Sequence, residues 1–356
     1  MCSNFGSMIS LLHTELSLGA QTAYSELFEQ TRAFELERLA GLKGSFGRRS
    51  IRGREYAYFS YKDIDGKLRM AYVGPIDDRI NALIEHFEQV KAPKKLAPVA
   101  QAAIALGCAA VVPKHFRILK QLGNYGFYQA GGVLIGTHAF VAMGNLLGVR
   151  WTQANHTLDI DFAHAGNNIS VALPASMNIS VHDALTSLEM GLLPIQQFGG
   201  HAGGQYQNPK DPELRLDFVT SRGRNDEPVV MKNLGLTLEP LRFMEFALER
   251  TTQAVVLSRE GSVIVNIPAP ERYAVHKLIV HGLRPLSERP KAAKDLVQSA
   301  ALAQWHTENG QEEVFGAAWA DAVSRGPSWK KHATAGREAL LKRYPDLASS
   351  SLWETS

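Results

Sequence analysis

Cysteine is nearly absent from this sequence. Only Cys2 and Cys108 occur, far apart in the chain, so no disulfide framework is expected and a reducing, cytoplasmic setting is the default. Long apolar runs are missing as well. No stretch approaches the roughly 20 residues that a membrane helix needs, so no membrane partner is expected. The opening segment MCSNFGSMISLLHTELSLG lacks a basic n-region, and a signal peptide is not expected. Its first seven residues read as disordered, with Met8 a candidate start. An excess of one charge is also lacking, since a formal net charge of +3 is too small to imply nucleic acid by itself. There is no internal repeat and no low-complexity segment. What remains is ordinary globular composition over 356 residues, 45% hydrophobic and 21% charged, which suggests two or three domains with a core of useful size.

The stretch from Tyr128 to His164 carries the strongest signal. A short apolar run, Val133-Leu134-Ile135, stops at Gly136-Thr137, where small residues bring the backbone close to anything bound above it. His138 to Leu147 then reads as a helix with Phe140, Met143 and Leu147 on one apolar face. Leu158-Asp159-Ile160-Asp161-Phe162 follows. As a strand, it puts Asp159 and Asp161 on one face and its apolar residues on the other. Neighbouring carboxylates repel unless a cation sits between them, and Mg²⁺ suits oxygen ligands and phosphate. Strand, Gly-small turn, helix and Asp-x-Asp strand is therefore the order of a metal–nucleotide site. A surface strand carrying two solvated acids fits the tripeptide as well.

Upstream, residues 20–42 read as a helix, with Leu27, Phe28, Phe34, Leu36 and Leu39 as its stripe and Gly41 at its end. Glu55–Tyr61 and Leu68–Val73 flank Asp65-Gly66, a hairpin signal. Its approach is basic at Lys43, Arg48, Arg49, Arg52 and Arg54, with tyrosines interleaved. Such residues can grip single-stranded nucleic acid; the tyrosines also fit a small antiparallel sheet packed on neighbouring helices. Ile80 to Val90 reads as a helix, Lys91 to Lys95 as a basic turn, and Leu96 to Val112 as a buried helix. Pro113 suits the first turn of a helix reaching Leu122.

Downstream, Val181 to Glu189 reads as a helix and Gly199 to Gly204 as a flexible connection between strands rather than a phosphate cradle. Leu214 to Val219 alternates like a strand and places Asp217 among hydrophobes, where it could complete a metal triad. Ala254 to Ile267 is a second hairpin signal, turning at Glu260-Gly261. Pro268 and Pro270 introduce a helix from Glu271 to His281 that carries Tyr273, His276 and Lys277. Residues 289–306 make another, with Lys291, Lys294 and Asp295 in its first turns. The rest is helical and basic, and the Ser-rich tail from Ala348 frays.

Together these residues resemble the nucleotidyltransferase superfamily, the fold of polymerase β. Its signature is Gly-Ser or Gly-Gly after a strand, a helix, Asp-x-Asp or Asp-x-Glu, and a third acid on a later strand. Gly136-Thr137, Asp159 with Asp161, and Asp217 stand at those positions. Thr137 replaces the commoner Ser and keeps its hydroxyl. The order of the segments GSFGRRSIRGREYAYFSYKDIDGKLRMAYVGP, GGVLIGTHAFVAMGNLLGVRW, LDIDFA, SLEMGLLP, LRLDFVT, PAPERYAVHKLIV and KAAKDLVQSAAL is similar to a narrower bacterial family of that fold. The last two segments also resemble the lysine helix and Lys-Asp helix of abortive-infection nucleotidyltransferase toxins.

The resemblance implies an α+β fold. A polymerase β-like core, a mixed sheet flanked by helices, would span residues 96–250. An N-terminal helix with a basic β-hairpin would occupy 1–95, and a β-hairpin with a C-terminal helical region 251–356. It implies transfer of an NMP from an NTP to a hydroxyl acceptor. Asp159, Asp161 and Asp217 would hold Mg²⁺ or Mn²⁺, with Asp217 also a candidate general base. Gly136, Thr137 and His138 would meet phosphates, and Lys277 would neutralise the leaving pyrophosphate. Lys294 and Asp295 would be further nucleotide contacts or a structural ion pair. The acceptor could be a tRNA or other RNA end, a protein or a small molecule, and a toxin-like role would bring an antitoxin partner. Two other readings stand beside it: a non-catalytic nucleotide sensor or interaction module on the same fold, and an RNA-binding protein resting on the Lys43 to Arg69 region.

Overall fold

The structure is a computed structural model that describes residues 11–40, 44–51, 53–62, 68–78, 80–81, 84–85, 96–153, 158–164, 179–195, 197–198, 201–222, 227–232, 234–349 and 351–354. Several expected features lie outside these residues. They are the start around Met8, Lys43, Arg52, the Asp65-Gly66 turn, most of the Ile80–Val90 helix, the Lys91–Lys95 turn and Gly199-Gly200.

A short strand β1 (His13–Glu15) precedes the long helix α1 (Leu18–Ala40). The strands β2 (Gly44–Ile51), β3 (Arg54–Lys62) and β4 (Leu68–Pro75) then form an antiparallel sheet. The basic approach to the expected hairpin is thus itself a strand, and Arg49 lies over the Tyr58 ring at 5.5 Å. Helix α2 (Leu96–Ala105) ends well before the expected Val112. Gly107 stops it with φ +119°. The Gly107 N–H donates to the Ile104 carbonyl and the Cys108 N–H to the Ala103 carbonyl, each at 3.0 Å, the paired bonds of a Schellman closure. Pro113 opens α3 (Pro113–Asn124), as expected of a residue with fixed φ and no N–H.

Strand β5 (Gly132–Ile135) runs directly into α4 (Gly136–Leu146), followed by β6 (Val149–Trp151), which pairs with β1, and β7 (Asp159–His164). Helix α5 (Val181–Thr186) is capped by Ser180 Oγ, which accepts the Asp183 N–H. It ends before the expected Glu189, which takes a left-handed φ of 54°. Strands β8 (Gln205–Asn208), β9 (Asp211–Ser221) and β10 (Leu236–Leu241) complete most of the main sheet. Its order is β5–β7–β9–β10, then His201–Gly203 and Gln197–Phe198, with β8 paired to β9. Contacts β7–β9 and β9–β10 are parallel, and β5–β7 is antiparallel. The expected flexible connection at 199–204 needs correction. His201–Gly203 pairs in parallel with β10, and a Cβ on Gly204 would come within 2.3 Å of the Phe218 carbonyl.

The alternation within β7 and β9 decides what each sheet face does. Ile160, Phe162, Leu216 and Phe218 enter the main core, where the Phe162 and Phe218 rings stack at 4.7 Å and the Phe127 ring meets both edge-on. On the other face, Val133 and Ala163 pack under the short helix α6 (Met244–Leu248). Asp159, Asp161 and Asp217 share that second face, just beyond this cover. The fold is therefore the expected mixed sheet flanked by helices.

A separate hairpin, β11 (Thr251–Ser258) and β12 (Gly261–Pro268), packs in one cluster with α1 and α2 through Leu27, Ala103, Val255 and Ile264. The C-terminal helices are α7 (Pro270–Leu283), α8 (Arg289–Glu308), α9 (Glu312–Ser324) and α10 (Pro327–Arg343). Helices α7 and α10 touch backbone to backbone. A Cβ on Gly336 would lie 2.1 Å from the Leu278 carbonyl, and one on Gly282 would lie 2.2 Å from that of His332. Gly336→Ala is therefore expected to push the helices apart and cost about 1–3 kcal/mol, read as a lowered Tm and urea midpoint.

Candidate active site

The site begins with register. In the parallel β7–β9 pair Asp217 lies opposite Asp161, and Arg215 opposite Asp159. On the other side of β7, Ile135 pairs with Asp161. Immediately after Ile135 the chain folds over that carboxylate. Gly136 has φ +65°, and a Cβ there would sit 2.1 Å from Asp161 Oδ2. Both facts demand glycine: the backbone conformation and the absence of space. The first turn of α4 thus begins directly above Asp161, with its unpaired backbone N–H groups at the same end.

Burial comes first in raising the Asp161 carboxyl, which is pushed up to about 6; Asp217 and Asp159 add to the rise, against Lys277 and Lys294. Asp217 is also raised, by burial first and then by Asp159, against a hydrogen bond from Gln205 and the charges of Arg215 and Lys291. Gln205 lies opposite Asp217 in the β8–β9 register, which explains the contact. Carboxylates spaced like their strands, about 5 Å apart, repel by on the order of 3 kcal/mol in a partly screened site.

The opposing charge comes from α7 and α8. Tyr273 Oη lies 2.9 Å from the Gly136 carbonyl and 2.8 Å from Gln298 Oε1, which pins α7 to the turn. One helical turn later stands Lys277, its ammonium 5.2 Å from the centre of the Tyr273 ring. Lys277 Nζ donates to Asp295 Oδ1 at 2.7 Å, and Arg284 Nε to Asp295 Oδ2 at 2.6 Å. Arg284 in turn pairs with Glu288. Burial opposes the Lys277 charge, but Tyr273, Asp295 and Asp161 outweigh it and raise the pKa. Burial alone would raise Asp295; Lys277 and Arg284 prevail and hold it below the ordinary carboxylate range. Lys294 is lowered by burial and by Lys277, against the pull of Asp161, Asp295 and Asp159.

The structure thus brings together Gly136, Thr137, Asp159, Asp161, Asp217, Lys277 and Lys294. Asp295 stands behind Lys277 as its anchor. His138 turns toward α3, where its Nε2 lies 3.0 Å from His115 Nδ1. Burial, then His115 and Lys294, push the His138 imidazole down to about 3, so it is neutral at ordinary pH. Sequence reasoning named Lys291 and Tyr273 on their helices without assigning them to the site, and it missed Gln205 and Arg284. Lys291 was within reach, because it precedes Lys294 by three residues on one helix face. Tyr273 likewise precedes Lys277 by four. Gln205 and Arg284 have no sequence signal, since each depends on a tertiary neighbour.

Comparison with known proteins bears on this arrangement. Residues 114–324, more than half of the chain, match a family model described as Nucleotidyltransferase, and every residue of the site falls within them. Among solved structures, an antigenic nucleotidyltransferase-like protein from Paracoccidioides brasiliensis is similar at 15% identity with a TM-score of 0.36, over 68% of this chain and 94% of that chain. Likeness of that degree carries no argument. No curated protein matches the chain. Among the described residues no helix is long and apolar enough to cross a membrane.

Because its carboxyl is raised from 3.8 to about 6, Asp161 binds its proton more tightly folded than unfolded. The folded state of the metal-free protein then loses stability as pH rises through that window. Asp161→Asn removes the effect. The variant is expected to gain stability over the parent between about pH 4 and 6, with a constant advantage above, measured by urea unfolding in chelator.

Proposed function

Because the chain belongs to a nucleotidyltransferase family, we propose that it moves a nucleoside monophosphate from an NTP to a hydroxyl acceptor at the Gly136–Asp161 site, with RNA as the acceptor. The observation that carries the reading is the glycine turn closed over Asp161, between two further acids and beneath lysines. Among the described residues, no three carboxylate, imidazole or thiolate groups converge on one ion-sized point. That is consistent with Mg²⁺, which commonly takes one or two protein carboxylates and fills its remaining positions with phosphate oxygens and water. The crowded, raised carboxylates fit such an ion arriving with the triphosphate. Asp159 and Asp161 would hold it, and Asp217 would serve a second. When bound, Mg²⁺ or Mn²⁺ supplies Lewis acidity toward the phosphates.

The chain's own residues supply the rest. The backbone N–H groups and Thr137 hydroxyl at the start of α4 hold phosphate oxygens, aided by the helix dipole. Asp217, whose carboxyl is raised above the ordinary range by burial and by Asp159, takes the proton of the acceptor hydroxyl. The acceptor oxygen bonds to the α-phosphorus, the bond from that phosphorus to the bridging α–β oxygen breaks, and pyrophosphate departs. Lys277 and Lys294 receive its growing charge. Asp295 and Arg284 keep Lys277 fixed, which avoids reorganisation during the step. The basic β2–β4 sheet, with Arg48 exposed and Arg49 over Tyr58, supports RNA as acceptor through phosphate contact and stacking. The order of the matching segments supports the narrower bacterial family as part of the same reading.

The test supplies each α-labelled NTP with Mg²⁺, total RNA and a cell protein extract. Label is expected in RNA, and Asp159→Ala with Asp161→Ala is expected to abolish it while the protein stays folded. Label transfer that survives this double substitution sinks the proposal. Lys277→Met is expected to lower kcat by about 10²-fold with a smaller effect on NTP affinity, read by single-turnover kinetics.

A further inference from the structure

A cavity of about 580 Å³ opens beside the first turn of α4. Its walls are the segment that follows α2, the first turns of α3 and α4, and the paired strands β1 and β6. Two residues join it to the site. Thr137 lines it and directly follows the glycine that covers Asp161. His115 lines it and lies within the electrostatic reach of Asp159. A group attached to a phosphate at the start of α4 therefore has the cavity as its neighbour.

The volume falls within the roughly 300–1,000 Å³ of small-molecule pockets, and the lining is mixed, with Thr14, His115, Thr137, His138, Arg150 and Thr152 beside apolar residues. Val141 and Trp151 give the apolar walls, and Arg150 a cation. The polar feature that asks for a partner is His138. Its side chain is only 4% exposed, and its Nε2 is engaged by His115 Nδ1. Its Nδ1 is buried without a hydrogen-bond partner. A buried polar atom without a partner is uncommon and calls for a ligand or a trapped water. No lining residue comes from β8 or β9, the strands that carry Gln205 and Asp217. The cavity thus lies off the side on which Asp217 would deprotonate an acceptor.

We propose that this cavity seats the base and ribose of the bound nucleotide, with the His138 imidazole that lines it in contact with them. The assignment rests on the nucleotidyl-transfer reading above. It turns His138 from a phosphate contact into a nucleoside contact, since a neutral, buried imidazole offers a directional hydrogen bond rather than charge.

Calorimetric titration of the full chain in Mg²⁺ separates the two halves of the ligand. Tripolyphosphate probes the phosphate half alone, and each of the four NTPs probes both. At least one NTP is expected to bind about tenfold or more tightly than tripolyphosphate. Val141→Phe, which fills the cavity from a partly exposed helix position, and His138→Phe are each expected to weaken that NTP by about tenfold. Tripolyphosphate affinity should stay within about twofold. Should His138→Phe disturb folding, as circular dichroism would show, Val141→Phe decides. Equal affinity for tripolyphosphate and every NTP overturns the proposal. So does unchanged NTP affinity in the folded variants, or equal weakening of both ligands. If neither ligand binds the parent protein, the transfer reading falls along with it.

Discussion

Three carboxylates on one face of two adjacent strands set the terms for everything around them. Asp161 is the most constrained, because Asp217 stands across from it, Asp159 lies two residues back, and the Gly136 turn closes over its oxygen. Burial and like charge both act against ionisation there. A surface strand with solvated acids would have ordinary carboxyls and no need for a cover. Here the crowding is accepted beside a helix N-terminus and opposite three lysines of α7 and α8, an environment that suits the cations and phosphate of the proposed function.

The same constraint explains the polarity of the C-terminal helices. Lys277 is largely buried, and a lone ammonium in such a place would be costly. Asp295 compensates it, and Arg284 and Glu288 extend the chain of opposite charges toward solvent. Because Asp295 is shared with Arg284, part of the Lys277 charge stays available to Asp161. Lys294 is less protected, and burial first, then Lys277, lower its basicity.

The elements that were legible in the sequence are those with local periodicity. The alternation around Asp159 and Asp217 marked both strands and the shared face, and the prolines marked the starts of α3 and α7. Gly136 was legible as a close approach, although what approaches it, Asp161 itself, was not. Errors came where one residue ends an element. Gly107 cut short an apolar helix that composition alone would have continued to Val112, and the freed segment became a cavity wall. His201–Gly203 joined the sheet because β10 offered a parallel edge, a fact held in tertiary structure rather than in the glycine-rich text. The β2 strand was hidden for a related reason. Its arginines read as a basic approach to the hairpin, yet Arg49 had a tyrosine to lie across.

The contact between Tyr273 and the Gly136 carbonyl joins parts of the chain 137 residues apart. One end is the turn that would touch a nucleotide first; the other is the helix whose lysine would answer its departing charge. Such a link makes the arrival and departure ends of the site a single mechanical piece. Any displacement of the C-terminal helices, by a bound macromolecule or by heat, would be transmitted to the turn as a pull on its carbonyl. In the proposed reaction, the phosphate contacts and the lysine facing the leaving group would then be lost in the same movement.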